Sequence, residues 1–157
     1  MYKRAIVPLD GSQLAEGIVS FILGIAGPLD LEVVLLRVVT PVIPHVVEGS
    51  RYVELDDLEA RATEAREYLA PIAAELAVRG VRVRTEVRRG EPVSEILACA
   101  RAVDADLIAM TTHGRSGLGR LLFGSVAEAV LRQADVPVFL MRQTRARART
   151  VAAGDAR

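Results

Sequence analysis

The stretch MTTHGRSGLGRLLFGSV at residues 110–126 carries the residue types best suited to holding a phosphate. It leaves a short apolar run, turns glycine-rich through Gly114, Gly117 and Gly119, and reaches Gly124 and Ser125 just before an amphipathic helical pattern. Glycines let backbone N–H groups come close to an anion, and a helix N-terminus adds unpaired donors and a favourable dipole. Ser125 and Glu128 have the S-x-x-E spacing of a capping box, which predicts that Ser125 caps the helix. Arg115 and Arg120 offer charge to the same anion. Asp10, followed by Gly11, ends the first apolar run. Its default role is a turn residue, and its carboxylate is also suited to helping hold a Mg2+ that arrives with a nucleotide.

These residues argue against several chemistries. A P-loop requires G-x4-G-K-[ST], with the lysine on the terminal phosphates. Residues 119–125 have the glycines and the serine but no lysine, which speaks against fast phosphoryl transfer of that kind. A dinucleotide fingerprint follows the first strand, whereas these glycines run G-x2-G-x-G after the fourth. A receiver domain would pair acids after its first strand and place a lysine after its fifth. Asp10 has no acidic neighbour, and residues 141–143 are Met, Arg and Gln. A flavin carrier would sandwich its ring between aromatics, and this chain has no Trp and 4% aromatic residues. No Ser-His-Asp or Cys-His arrangement stands out. His113 lacks a partner at metal-ligand spacing, His45 reads as a loop residue, and Cys99 sits in an apolar run as a small buried hydrophobe.

The elements that must position this chemistry are legible in the hydrophobic pattern. A chain of 157 residues, 51% hydrophobic and 25% charged, predicts one globular domain. Twenty basic residues balance twenty acidic ones, so no global field draws the protein to nucleic acid or an anionic membrane. No signal-type segment opens the chain and no apolar run reaches the ~18 residues of a membrane span, so a cytoplasmic location is expected.

Apolar runs at 4–8, 31–39, 107–110 and 136–141 predict strands, and the near-continuous second run predicts burial on both faces. Residues 81–87 alternate Val or Thr with Arg or Glu, which predicts an edge strand with one wet face. Helical spacing marks 14–26, with Ser12 or Asp10 as N-cap and Gly27-Pro28 as the stop, and 55–78, where Pro71 is expected to kink or divide the helix. Further helices are expected from Pro92 to about Val103 and from Val126 to about Gln133. Residues 40–50 read as an irregular loop, and 143–157, rich in Arg and Ala, as a disordered tail after a domain at 1–142.

Strands alternating with helices define an α/β fold with a mainly parallel sheet. Ligands of such sheets bind beyond the carboxyl ends of the strands, where strand order reverses. Were the first and fourth strands neighbours, Asp10 would face the 111–125 loop across that crevice. Periodicity alone leaves the adjacency open.

The opening IVPLDGS, the strand VVLLRV, the Gly90-Glu91-Pro92 turn and above all THGRSGLGRLLFGSVAEAVLR running into VPVFLM resemble the universal stress protein family. The resemblance implies a doubly wound (Rossmann-like) sheet of order 3-2-1-4-5. It also implies an ATP site built on G-x2-G-x9-G-[ST]. Gly114, nine further residues, Gly124 and Ser125 match its second part, while Thr111 replaces the first glycine. On this resemblance Gly114, Gly124, Ser125 and Val126 would hold the phosphates and ribose. Asp10 would meet the adenosine, and Pro8, Leu9, Val38 and Met110 would wall the adenine. The expected role is a stress-response or signalling protein whose ATP occupancy, with Mg2+, tunes its shape or partners. Two alternatives share the fold: an interaction module that has lost ATP binding, marked by Thr111, and a slow ATPase. The apolar run from Val136 to Met141 is a poor strand to leave as an open edge. It is expected to pair with its two-fold mate in a homodimer, as the resemblance also implies.

Overall fold

Nine elements alternate along residues 2–41, 51–113 and 124–143, the parts of the chain described by the computed structural model. They are β1 (Arg4–Pro8), α1 (Gln13–Ala26), β2 (Glu32–Val39), α2 (Arg51–Val78), β3 (Val83–Arg89), α3 (Pro92–Ala102), β4 (Leu107–His113), α4 (Ser125–Gln133) and β5 (Val138–Gln143). Gly114 and Arg115, nearly all of the expected 40–50 loop, and the tail beyond Gln143 lie outside the described residues.

The strands form one sheet in the order β3-β2-β1-β4-β5, with every neighbouring pair parallel. Alternate side chains of each strand project to opposite faces, and two apolar cores result. Val7, Val33, Leu35 and Ala109 pack under α1 and α2, with Ile18, Ile22, Leu69 and Leu76 from those helices fully buried. Ile6, Val34, Leu36 and Ile108 pack under α3 and α4 with Ile96, Cys99 and Val130. The central strands are buried on both faces, which is why their sequences are continuous apolar runs. β3 lies at one edge, as its alternation predicted. Its arginines are tied down by ion pairs, Arg84 to Glu32, Arg88 to Glu95 and Arg89 to Glu59.

One departure from regular pairing creates the site. β1 pairs with β2 along its whole length, and the contact continues as the Leu9 N–H donates to the Leu36 carbonyl at 2.8 Å. Against β4 it pairs only at Ala5↔Leu107 and Ile6↔Ile108. β4 meanwhile stays with β5 as far as His113↔Gln143. β1 therefore leans towards β2 as it ends, and a crevice opens between its carboxyl end and β4. This is the point at which strand order reverses, where ligands of open α/β sheets bind.

Local chemistry sets the helix starts that border the crevice. Ser12 caps α1, its hydroxyl accepting from the Ala15 N–H at 3.1 Å. Glu91 caps α3, accepting from the N–H groups of Val93 and Ser94 at 3.1 and 2.8 Å, and Pro92 occupies the first turn where a missing N–H is harmless. Those two backbone bonds hold the Glu91 carboxyl below its usual 4.5. A carboxylate lowered in the folded state stabilises above its unfolded pKa, and the contribution is lost as pH falls through the folded one. The stability gap between native protein and Glu91→Ala, read by urea unfolding, is therefore expected to be full at neutral pH and to shrink below pH 4.5.

Several local expectations are corrected. Gly124, not Ser125, is the N-cap of α4, and among the described residues no side chain caps that helix. Glu128 does not fold back in a capping box, because its carboxylate pairs with Arg132 one turn on at 2.6 Å. β4 runs three residues past Met110, so Thr111 belongs to the strand and not to the loop. Strand pairing with β5 extends it, and β-branched threonines suit a pleated surface. β5 begins at Val138, after Val136 and Pro137, and ends at Gln143, the first residue assigned to the tail. Pro71 interrupts no helix: α2 continues through it as one element. The stop of α1 is as expected, with Gly27 as C-cap after Ala26, and the left-handed residue that follows is Asp30 (φ 50°).

Candidate functional site

A cleft of about 360 Å³ occupies the crevice. The end of β1 contributes Pro8, Leu9 and Asp10; β2 contributes Leu36, Arg37 and Val38; β4 contributes Met110 and Thr111; and the start of α4 contributes Gly124, Ser125 and Val126. Pro92 and Ile96 of α3 close the apolar side. Nine of the eleven site residues named from the sequence thus line one cavity. The other two, Gly114 and Arg115, lie outside the described residues.

The absence of a side-chain cap on α4 has a chemical consequence. An α-helix leaves its first-turn N–H groups without intrahelical partners. Here the first bond back to the cap residue is from Glu128 N–H to the Gly124 carbonyl at 3.0 Å. The N–H groups of Ser125, Val126 and Ala127 precede it and border the cleft. Ser125 is exposed and adds a hydroxyl. The helix dipole reinforces these donors for a negatively charged group.

Asp10 is held in place from α1. Ser12 donates to its Oδ1 twice, from the backbone N–H at 2.9 Å and from the hydroxyl at 2.6 Å, while the same hydroxyl accepts from Ala15. One serine therefore caps α1 and orients the acidic residue at the mouth of the cleft. Behind it, the Tyr68 hydroxyl of α2 donates to Glu16 of α1 at 2.9 Å. Burial above all raises the Tyr68 pKa; the bond and charge of Glu16 and the charge of Asp10 add to the rise, and Arg37 opposes it. Tyr68 thus remains a neutral donor that ties α2 to α1 beside the site.

Arg37 is the cleft residue that the sequence pattern concealed. It sits within an apolar run read as buried on both faces, yet it is half-buried and lies at the end of β2. Its guanidinium rests against Gly11, where a Cβ would sit 3.5 Å from Nη2. Gly11 itself needs φ +88°, which glycine adopts without strain. The signal was available, because Arg37 is the one basic residue in β2.

Thr111 and Met110 are nearly buried, at 8% and 7% exposure. Met110 joins the core under α3 and α4, whereas Ala109 faces α1 and α2. Strand alternation puts the Thr111 side chain on the Ala109 side. It stands out of the sheet plane beside the cleft instead of projecting from the strand edge across it. Cys99 is fully buried, and burial raises its thiol pKa, which fits packing and not nucleophilic chemistry. Among the described residues no group of three or more His, Cys, Asp or Glu side chains could hold a metal ion, and no helix is long and apolar enough to cross a membrane.

Comparison with known proteins gives this geometry a family. The model of the universal stress protein family matches residues 1–142. Universal stress protein MJ0531 of Methanocaldococcus jannaschii is 35% identical over 145 residues, covering 91% of this chain and 84% of the relative. The solved structure of protein MJ0577 is similar at 28% identity and a TM-score of 0.78, covering 92% of this chain and 99% of that one. A universal stress protein solved in complex with cAMP shares the fold at 21% identity and a TM-score of 0.68, covering 91% and 98%. On its matched sequence and its strand order, the chain belongs to the universal stress protein family.

Proposed function

We propose that this chain is an adenine-nucleotide-binding stress or signalling protein in which occupancy of the crevice tunes conformation or partner choice. The observation that carries the reading is the uncapped N-terminus of α4 opening onto a cleft whose other wall is apolar. The phosphate groups are assigned to the backbone N–H groups of Ser125 and Val126 with the Ser125 hydroxyl, joined by Gly114 and Arg115. The base is assigned to the slot between Pro8, Leu9, Val38 and Met110, with Asp10 towards the adenosine. A neighbour of the same fold was solved with cAMP, which supports this ligand class. ATP with Mg2+ is the favoured form. Asp10 is the one carboxylate lining the cleft among the described residues, so the cation would be held chiefly by the nucleotide's own phosphates and water. Among the described residues no general base is positioned for a reaction, and any hydrolysis is expected to be slow.

The test is thermal. A ligand at ~100 times its Kd stabilises by about 2.7 kcal/mol, which for a domain of this size is roughly 5 to 10 °C. Mg-ATP, AMP and cAMP are to be compared by differential scanning calorimetry. No shift at millimolar nucleotide, together with no nucleotide released on denaturing the purified protein, would sink the proposal.

The second part of the reading is a homodimer. β5 is the outer strand of the sheet beyond β4, and Val138, Phe139, Leu140 and Met141 are only half-buried in the single chain. Pairing across a two-fold axis would cover both the open edge and that apolar surface. Light scattering at micromolar concentration should give twice the chain mass; a monomer there refutes it.

A further inference from the structure

We infer that a second cavity, on the far face of the sheet from the start of α4, is a phosphate site in which the Arg37 and Arg61 guanidinium groups hold the dianionic phosphate of a small molecule. It stands independently of the nucleotide reading above. Strand alternation puts the Arg37 side chain with Val33 and Leu35, on the face covered by α1 and α2. Val38 and Ile96 lie on the opposite face, in the core under α3 and α4. At the carboxyl end of β2, beneath α2, there is a cavity of about 320 Å³. Gly11, Arg37 and Thr40 form one wall, and Arg61, Ala65 and Tyr68 of α2 form the other. Arg61 is anchored to the end of β2, its Nη1 donating to the Thr40 carbonyl at 2.8 Å.

Two half-buried cations that share a cavity and have no carboxylate partner call for an anionic ligand. Among the described residues the other half-buried arginines, Arg4 and Arg88, pair with Glu32 and Glu95. Even exposed Arg66 and Arg89 share Glu59. Arg37 and Arg61 make no ion pair with any described carboxylate. The acidic groups nearby are engaged elsewhere or face water: Glu16 accepts from Tyr68, Asp10 accepts twice from Ser12, and Glu64 at the rim is exposed. Taking a guanidinium out of water is costly unless an anion meets it. Two of them match a phosphate monoester, which carries about −1.5 to −2 charges at neutral pH. The planar arginine fork also bonds phosphate oxygens at two points, which the point charge of lysine does not. The volume is at the lower end of the ~300–1,000 Å³ of small-molecule sites, which leaves room for a small organic substituent on the phosphate.

The full chain is to be titrated calorimetrically with inorganic phosphate, and with acetate as a monoanion, as native protein, Arg37→Leu, Arg61→Leu, Arg61→Lys and Gly124→Val. The native chain should bind phosphate at millimolar concentration. Each leucine variant should weaken that binding about tenfold or more, and Arg61→Lys, which keeps the charge and loses the fork, should fall between native and Arg61→Leu. Gly124→Val should keep this phosphate site, because it alters only the start of α4. The two Arg61 variants, on the flank of α2, carry the test if Arg37→Leu fails to fold. Three results overturn the inference: no phosphate binding by the native chain at millimolar concentration, a phosphate affinity that both Arg61 variants leave unchanged, or phosphate binding lost in Gly124→Val, which would put the anion at α4. Acetate binding as tightly as phosphate would overturn the assignment to a dianion. Phosphate binding that survives where no nucleotide binds would remove the proposed function alone.

Discussion

Gly124→Val is expected to abolish stabilisation by nucleotide while leaving the unliganded fold nearly intact. Gly124 has φ −55° and ψ 145°, an extended conformation open to valine, so backbone strain does not demand a glycine there. The requirement comes from the cleft. A branched side chain at this position stands between an incoming phosphate and the N–H groups of Ser125 and Val126. Valine is a poorer N-cap than glycine, by about 1 kcal/mol, or roughly 2 to 4 °C in Tm. Against that small change, the 5 to 10 °C rise expected with saturating ATP should vanish. Calorimetric scans with and without Mg-ATP measure both quantities on one sample. A variant that still gains the native shift would show that α4 does not hold the phosphates. The same variant calibrates hydrolysis: phosphate release at equal rates from native and variant protein would identify a contaminating ATPase.

Leu36→Ala should have the largest effect on stability near the cleft. Leu36 is fully buried, belongs to the core under α3 and α4, and also forms part of the cleft wall. Removing a buried leucine side chain costs about 2 to 5 kcal/mol through lost transfer energy and the cavity left behind. In a domain of this size the Tm should fall on the order of 10 °C. Val78 is 87% exposed at the end of α2, and Val78→Ala should change stability by less than about 0.5 kcal/mol. Urea unfolding of the three proteins separates these outcomes. Leu36→Ala should keep a nucleotide-dependent shift, since the α4 donors are untouched. Equal stability of the two variants would contradict the packing described for β2.

Residues 31–39 and 81–87 show how much a pattern reveals. The first is continuous and became the doubly covered β2; the second alternates and became the edge strand β3, blunted by paired arginines. Helix starts were legible where one local feature decides them, at Ser12, one of the two caps expected for α1, and at Pro92 in the first turn of α3, whereas the capping role of Glu91 came only with the structure. The capping box at Ser125 failed because its glutamate had a second suitor, Arg132, within reach on the same helix. The end of β4 was misplaced because Thr111 and Thr112 enter the strand by pairing with Met141 and Arg142, residues distant in sequence. Arg37 was passed over because a run dominated by apolar residues masks a single residue at the end of the sheet, where a side chain can be half-buried and still border a cavity.

The local content of this protein is written in its sequence. Hydrophobic periodicity, turn residues and caps each act over a few positions, so they identify an α/β chain, its edge strand and the residues able to meet a phosphate. Adjacency is not a local property. Only the tertiary structure sets β1 between β2 and β4, parts it from β4 after Ile6, and so opens a crevice with Asp10 on one side and Gly124 and Ser125 on the other. The same long-range pairing brings Arg37 against Gly11, because strand order and register arise from the burial of two opposite faces at once and not from any single segment.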